Sequence, residues 1–329
     1  MINKHHFLTY DTNWLTRFYH QTSKRATMLR NKELQLTAPY EIIVDYRNQG
    51  QLDWGSWEYS GEFCIAKELT SIKKQFISML EQNDGLYKGN NVCPRVKTYS
   101  IMQNKLLLKL EKASYFDQVA TNLALDNPLD ETDATSLQAR CLREWDIQQS
   151  NTPHGTLPSF ESSQLANTIG VSLGITVKNK NNEKVFLTRT RTSHVAVAAH
   201  QEVLPFSFSL NFNPSPSMFG KQQSIKELIK ADFIEEQAEE LGIDASVLDF
   251  ENVKPLLLCR ELCRGGKPQF FCEIELDMCY EDLQNHISEN LLPQKEFTST
   301  IKSYTLNEAQ QSFSTLSPEI QAFVVAKSS

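Results

Sequence analysis

The chain has 329 residues, with 33 Lys and Arg against 40 Asp and Glu and a formal net charge of −7. Hydrophobic residues make up 40% and charged residues 22%, with 18 Phe and 10 Tyr, which is material enough for a packed core and excludes global disorder. The acidic balance argues against a nucleic-acid or anionic-membrane binder, because those partners are won by clustered Lys and Arg. The length fits one large domain or two ordinary ones.

Seven Cys (64, 93, 141, 259, 263, 272 and 279) are an odd number, widely spaced and without a CxxC pair, so neither a disulfide framework nor a zinc ribbon is indicated. Cys259, Cys263 and Cys272 stand among Leu256, Leu257, Leu258, Phe270 and Ile274, where free Cys behaves as a small hydrophobe. No apolar run follows Met1-Ile-Asn-Lys-His-His, and no stretch approaches the roughly 18 apolar residues of a membrane helix. The expectation is a protein of the cytoplasm or another reducing compartment, with no signal peptide and no membrane span.

Tyr40–Tyr46 is β-branched and aromatic and reads as a strand. Trp54, Trp57 and Tyr59 lie close together beside a glycine, which fits core packing better than a stacking platform. From Ala66 to Gln82, Leu69, Ile72, Phe76, Ile77 and Leu80 recur at helical spacing until Asn83-Asp84-Gly85. Lys105–Leu110 reads as a strand followed by Tyr115–Asn122, and Asn127–Asp133 as a polar break. Leu137, Cys141, Leu142 and Trp145 then recur helically. The most linker-like stretch is Gln148–Pro158, rich in turn formers.

Thr168–Val177 and Lys184–Thr188 read as two strands joined by the turn Lys178–Glu183, and Pro214–Gly220 as a loop. Ser224-Ile-Lys-Glu227 is an S-x-x-E capping box opening a helix to Leu241, with Gly242 as its stop. Strands near Pro255–Leu262 and Gln269–Leu276 flank the hairpin turn Cys263–Pro268. A strand at Phe297–Tyr304 and helices starting near Leu306 and Ser317 finish the chain.

Chemistry is concentrated in the capped helix. At about 100° per residue, Ile225, Leu228, Ile229 and Phe233 share one side, and Glu236, Glu239 and Glu240 project toward it. A solvated helix would carry its acids opposite the apolar stripe, and three carboxylates within reach of one another call for a cation such as Mg²⁺ or Mn²⁺. The alternative is a solvated face, with Ile234, Ala238 and Leu241 as a second apolar row.

The segment from Glu227 to Ile243 resembles the Nudix box: Glu227, Glu236, Glu239, Glu240, Gly242 and Ile243 match its fixed positions. Glu235 stands where the box has Arg, Gln237 where it has a bulky apolar residue, and Lys221 where it opens with Gly. Lys105–Asn122, Leu165–Val171, Val185–Arg191, His194–Ala196 and the turn around Arg264–Pro268 are similar to the Nudix branch that hydrolyses UDP-glucose and UDP-galactose. The likeness spans roughly residues 100–329. It implies an α+β protein with a Nudix-type α/β/α sandwich and mixed sheet at 101–329, its core at about 160–290, and leaves residues 1–100 as an N-terminal α+β extension of unknown role. The family's Pro-Gly-Gly turn is Pro205-Phe206-Ser207 here.

The resemblance implies a metal-dependent hydrolase of a nucleoside diphosphate-linked small molecule, UDP-sugar preferred, giving a nucleoside monophosphate and a sugar phosphate. Glu236, Glu239 and Glu240, with Glu227, would hold Mg²⁺ or Mn²⁺ and activate a water. Arg189 and Arg191, two apart on a strand, are candidates for the diphosphate, with Arg264 and Lys267 behind them and Tyr115 for the base. His194 and His200 have no spacing that singles them out. The missing box Arg and Gly-Gly leave open a second expectation, a Nudix-fold protein of weak or no activity that binds a nucleotide or a protein partner.

Overall fold

The structure is a computed structural model that describes residues 12–47, 53–82, 89–126, 141–192, 200–241, 247–290 and 297–328; at residues 12, 235–241, 288–290 and 297–300 it describes the backbone only. The Asn83–Gly85 stop, the Asn127–Asp133 break, Leu137, the His194–Ala196 segment, Gly242 and Ile243 lie outside the described residues.

The N-terminal third begins with α1 (Thr12–Phe18) and α2 (His20–Ser23), then β1 (Met28–Asn31), β2 (Leu36–Asp45) and β3 (Ser56–Glu62). Helix α3 (Thr70–Gln82) buries Ile72, Phe76 and Leu80, the row that its spacing predicts. The hairpin β4 (Val92–Met102) and β5 (Lys105–Ser114) runs into α4 (Tyr115–Ala120), which a reciprocal Ser114/Asp117 capping box opens. Helix α5 (Leu142–Gln149) packs Leu142 and Trp145 with α3 and α4.

The second half carries β6 (Gly170–Lys178), β7 (Lys184–Arg191), β8 (Glu202–Val203), β9 (Phe206–Ser209) and β10 (Gln222–Ser224), then α6 (Ile225–Leu241). It ends with β11 (Lys254–Glu261), β12 (Lys267–Cys279), α7 (Tyr280–Asn290), β13 (Phe297–Thr305), α8 (Leu306–Gln311) and α9 (Pro318–Lys327).

These strands form two sheets. One runs β1-β2-β11-β12-β6-β7-β13, with β8 on β7 and β9 on β6; the other runs β10-β3-β5-β4. Within the larger sheet β12 and β6 are parallel, and the other pairs are antiparallel, so the fold is α+β with mixed sheets. The residue 100 boundary falls inside β4, and β2 pairs with β11 with β1 on its outer side, so the first hundred residues contribute strands to both sheets. The sheets meet where the Ile169 amide donates to the Pro94 carbonyl at 3.0 Å and the Val96 amide to the Asn167 carbonyl at 3.2 Å.

Along β6 the alternation of the pleat divides two cores. Val171, Leu173, Ile175 and Val177 pack with Trp54, Trp57, Tyr59, Leu106, Leu108 and α6. The opposite face lies under α9, a helix buried from Ile320 to Ala326. Among the described residues no helix is long and apolar enough to cross a membrane.

The linker-like stretch Gln148–Pro158 is a packed segment instead. The Gly155 carbonyl takes the amides of Gln21 and Thr22, and the Leu157 amide donates to Thr22 Oγ1 at 2.8 Å. Its Asn, Pro and Gly set the turns, and docking on α2 supplies the order that composition does not reveal. Cys93, Cys259, Cys263 and Cys272 are buried; Cys279 is half-buried, its thiol donating to Glu281.

Candidate functional site

Helix α6 is held by its start and by one face. Ser224 Oγ accepts the Glu227 amide at 3.3 Å, and Ile225, Ile229 and Phe233 are buried. Phe233 packs on Phe206 of β9 and on Phe250, each with ring centroids 5.2 Å apart. Ile234 is exposed, so the second apolar row is not packed at that position.

The buried face also carries Asp232, whose carboxylate accepts the Asn211 amide at 2.6 Å and Asn211 Nδ2 at 3.3 Å. Sequence reasoning missed it, although a charged residue inside an apolar stripe was a readable signal. By helical register Glu239, Glu236 and Glu240 fall within about 80° of Asp232 around the axis. The side chains of Glu236, Glu239 and Glu240 lie outside the described residues. Glu227 is exposed on the first turn. Among the described residues no three His, Cys, Asp or Glu are grouped as metal ligands.

Strand β7 supplies the two arginines, in different settings. Arg189 is 1% exposed, whereas Arg191, at the end of the strand, is half-buried and donates from Nη2 to the Ser207 carbonyl at 2.8 Å. Ser207 follows Phe206, so β9 touches α6 through one residue and Arg191 through the next. The Ser207 hydroxyl donates to Glu319 Oε2, 3.1 Å away on the first turn of α9. Glu319, an acid in a mostly apolar helix, is a second residue that sequence reasoning missed.

The β11–β12 hairpin brings the remaining cations to the same neighbourhood. Gly265 and Gly266, at φ +63° and +93°, let the chain reverse in the left-handed region. Buried Arg143 clamps the turn, donating from Nη1 to the carbonyl of Leu262 at 2.7 Å and from Nη2 to that of Cys263 at 2.8 Å, while Nε and Nη2 form a fork with Asp126. Asn122 Nδ2 holds the Arg264 carbonyl at 2.8 Å. Basic residues in a turn are ordinarily solvated, but here Arg264 is half-buried, 3.4 Å from Glu261, and Lys267 is enclosed.

Electrostatics links these groups. Burial raises the Glu319 carboxyl above its usual range, while Arg191 and Arg264 oppose the rise together with the Ser172 and Ser207 hydroxyls. Burial, with Arg264 beside it, lowers the Lys267 amine to about 7. Arg191 and Arg264 therefore act on one carboxylate. Tyr115 is not part of this grouping: it packs with the α3–α4–α5 cluster, its ring 6.3 Å from Phe116.

A second buried network lies under β4. Arg95 pairs with Glu111 at 2.8 Å and donates to the Leu165 and Ser163 carbonyls. Asp146 accepts the Gln164 amide at 2.7 Å and the Ser163 hydroxyl at 2.9 Å, and burial pushes its carboxyl up to about 6. These bonds tie α5 to the segment that leads into β6, a structural task. No family model matches the chain, and no curated protein matches it.

Proposed function

We propose that the protein is a divalent-metal-dependent hydrolase of nucleoside diphosphate-linked small molecules, UDP-sugars preferred, on a Nudix-type fold. The observation that carries the reading is the meeting at β9: Phe206 supports the acid-bearing helix through Phe233, and the adjacent Ser207 carbonyl holds Arg191. A pyrophosphate link is shielded by its own charge, so its hydrolysis needs a cation on the phosphate oxygens and a water of lowered pKa. Mg²⁺ or Mn²⁺ on Glu236, Glu239 and Glu240 supplies both when bound. Hard carboxylate oxygens suit either ion.

The chain's own part is then to bind and orient. Arg191 and Arg264, the two half-buried cations, face the diphosphate, with Arg189 and Lys267 enclosed behind them. Glu236 or Glu239 takes the proton of the attacking water. Incubation with Mg²⁺ or Mn²⁺ and UDP-glucose is expected to give UMP and hexose 1-phosphate, with loss of product in Glu239→Gln and Glu240→Gln. No product from any nucleoside diphosphate compound overturns the proposal.

One observation favours the second reading, a nucleotide or protein binder of little activity. Phe206, which stands where the family has a glycine, is fully buried under Phe233, so an aromatic core residue occupies a position where the family's backbone approaches the metal. Calorimetry showing nucleotide binding indifferent to metal, without turnover, selects this reading.

A further inference from the structure

Two charged side chains meet on one residue of β9. Arg191 Nη2 donates to the Ser207 carbonyl at 2.8 Å, and the Ser207 hydroxyl donates to Glu319 Oε2 at 3.1 Å. The pleat explains the arrangement. Ser207 pairs with Ser172 of β6, so Phe206 faces α6 and the Ser207 side chain faces α9 across the sheet. Strand β9 is four residues long and lies on β6, and it is tied to a helix on each face: to α6 by Phe206 on Phe233, to α9 by Ser207 on Glu319. The Arg191 backbone is fixed separately, its amide donating to the Gln201 carbonyl and its carbonyl accepting the His200 amide, both at 3.0 Å. What remains to be set is the direction of the guanidinium, and the bond to Ser207 sets it.

Packing does not explain Glu319. An acid in the first turn suits the helix dipole wherever it points, so its place at the start of α9 signifies nothing by itself. This one turns to the sheet and is half-buried, beside a helix face of fully buried Ile320 and Phe323. Its second oxygen, Oε1, is enclosed and has no hydrogen bond of normal geometry among the described residues. Enclosing a carboxylate oxygen in that way costs stability, which an apolar side chain of similar size would spare.

We propose that Glu319 is a positioning residue for Arg191, holding its guanidinium through Ser207 in the orientation that meets the diphosphate. The part played by the diphosphate rests on the hydrolase reading, whereas the tie from Glu319 to Arg191 does not. Without the carboxylate the Ser207 hydroxyl loses its acceptor and β9 loses its tie to α9. The carbonyl that aims Arg191 then moves more freely, and the guanidinium with it.

Side-chain ¹⁵N NMR of arginine reads the guanidinium without any need for turnover. The Arg191 signal, identified by its loss in Arg191→Lys, is expected to show slowed guanidinium rotation in the wild type. Glu319→Leu and Ser207→Ala should each speed that rotation, and the double variant should do no more than either alone, because both remove one tie. Glu319→Gln should keep the wild-type signal, since its amide oxygen can still accept the hydroxyl. Ser207→Ala reads the same tie where Glu319→Leu fails to fold. With UDP-glucose and Mg²⁺, KM should rise roughly tenfold in Glu319→Leu and Ser207→Ala, about the worth of a hydrogen bond to a charged group, with kcat little changed. An Arg191 signal identical to wild type in both variants overturns the proposal whatever the activity, and so does an altered signal with unchanged KM. An altered signal in a protein that turns over no nucleoside diphosphate compound supports the tie and overturns the hydrolase reading instead.

Discussion

Phe233 of the acidic helix lies against Phe206 of β9, their ring centroids 5.2 Å apart. Glu236 and Glu240 stand three and seven positions further along the helix, on the stripe that Phe233 begins, and Glu239 shares the register of buried Asp232. On the hydrolase reading, Glu239→Gln and Glu240→Gln are each expected to lower metal-dependent turnover by more than ~100-fold, since groups that merely orient metal ligands are already worth about 10–100-fold. Titration calorimetry with Mn²⁺ should show the same loss as weaker metal binding. Unchanged turnover and metal affinity in both variants means that the helix end is a solvated face.

The seat of α9 on the sheet depends on a missing side chain. A β-carbon at Gly174 of β6 would collide with the Phe323 ring, so the helix sits directly on strand backbone there. Gly174→Ala is expected to cost about 1–3 kcal/mol as overpacking. Adding Phe323→Leu should recover part of that loss, because the smaller side chain makes room. Thermal unfolding of the single and double variants reads both effects, and equal melting temperatures for Gly174→Ala and wild type would contradict the close contact.

The local elements were legible because their signals are local. The 3.6-residue rows of α3 and α6, the alternation of β6 and the Ser224 cap all coincide with folded elements. Lateral order was not legible: nothing in Tyr40–Asp45 announces a partner in Leu257–Glu261, some two hundred residues away. Side-chain exposure in turns was not legible either. Arg264 and Lys267 stand in a turn, whose own composition does not reveal what holds it, and the groups that bond its carbonyls, Arg143 and Asn122, come from distant elements. Asp232 and Glu319 could have been found as lone charges in apolar helical rows, but only packing says that Asp232 is buried and Glu319 half-buried.

Arg143 joins Asp126 to the β11–β12 turn through a bidentate pair and two carbonyl bonds, so it acts on Arg264 and Lys267 by positioning. Arg143→Gln strands the Asp126 carboxylate and two buried carbonyls. The expected cost is about 3 kcal/mol, at the lower end for breaking a buried pair because Asp126 is partly exposed. Urea unfolding measures it. On the hydrolase reading the KM for a nucleoside diphosphate substrate should rise as well, whereas a purely structural role leaves KM unchanged in the fraction that remains folded.

Asp146 sets a pH dependence of definite sign. Burial raises its carboxyl from 3.8 to about 6, against the pull of the Gln164 amide, the Ser163 hydroxyl, Arg260 and Arg95. Between those two values the folded chain holds a proton that the unfolded chain has released. The contribution of this group to stability therefore falls as pH rises from about 4 to about 6, by about 3 kcal/mol for a shift of this size. Asp146→Asn cannot titrate. Its carbonyl can keep the Gln164 amide, but its NH₂ group cannot accept the Ser163 hydroxyl, so the variant should be less stable than wild type at pH 4. Raising the pH to 7 should shift the difference toward the variant by about 3 kcal/mol. Denaturant unfolding of both proteins at the two pH values tests this, and a difference that does not change with pH would show that Asp146 titrates in the folded chain as it does in the unfolded one.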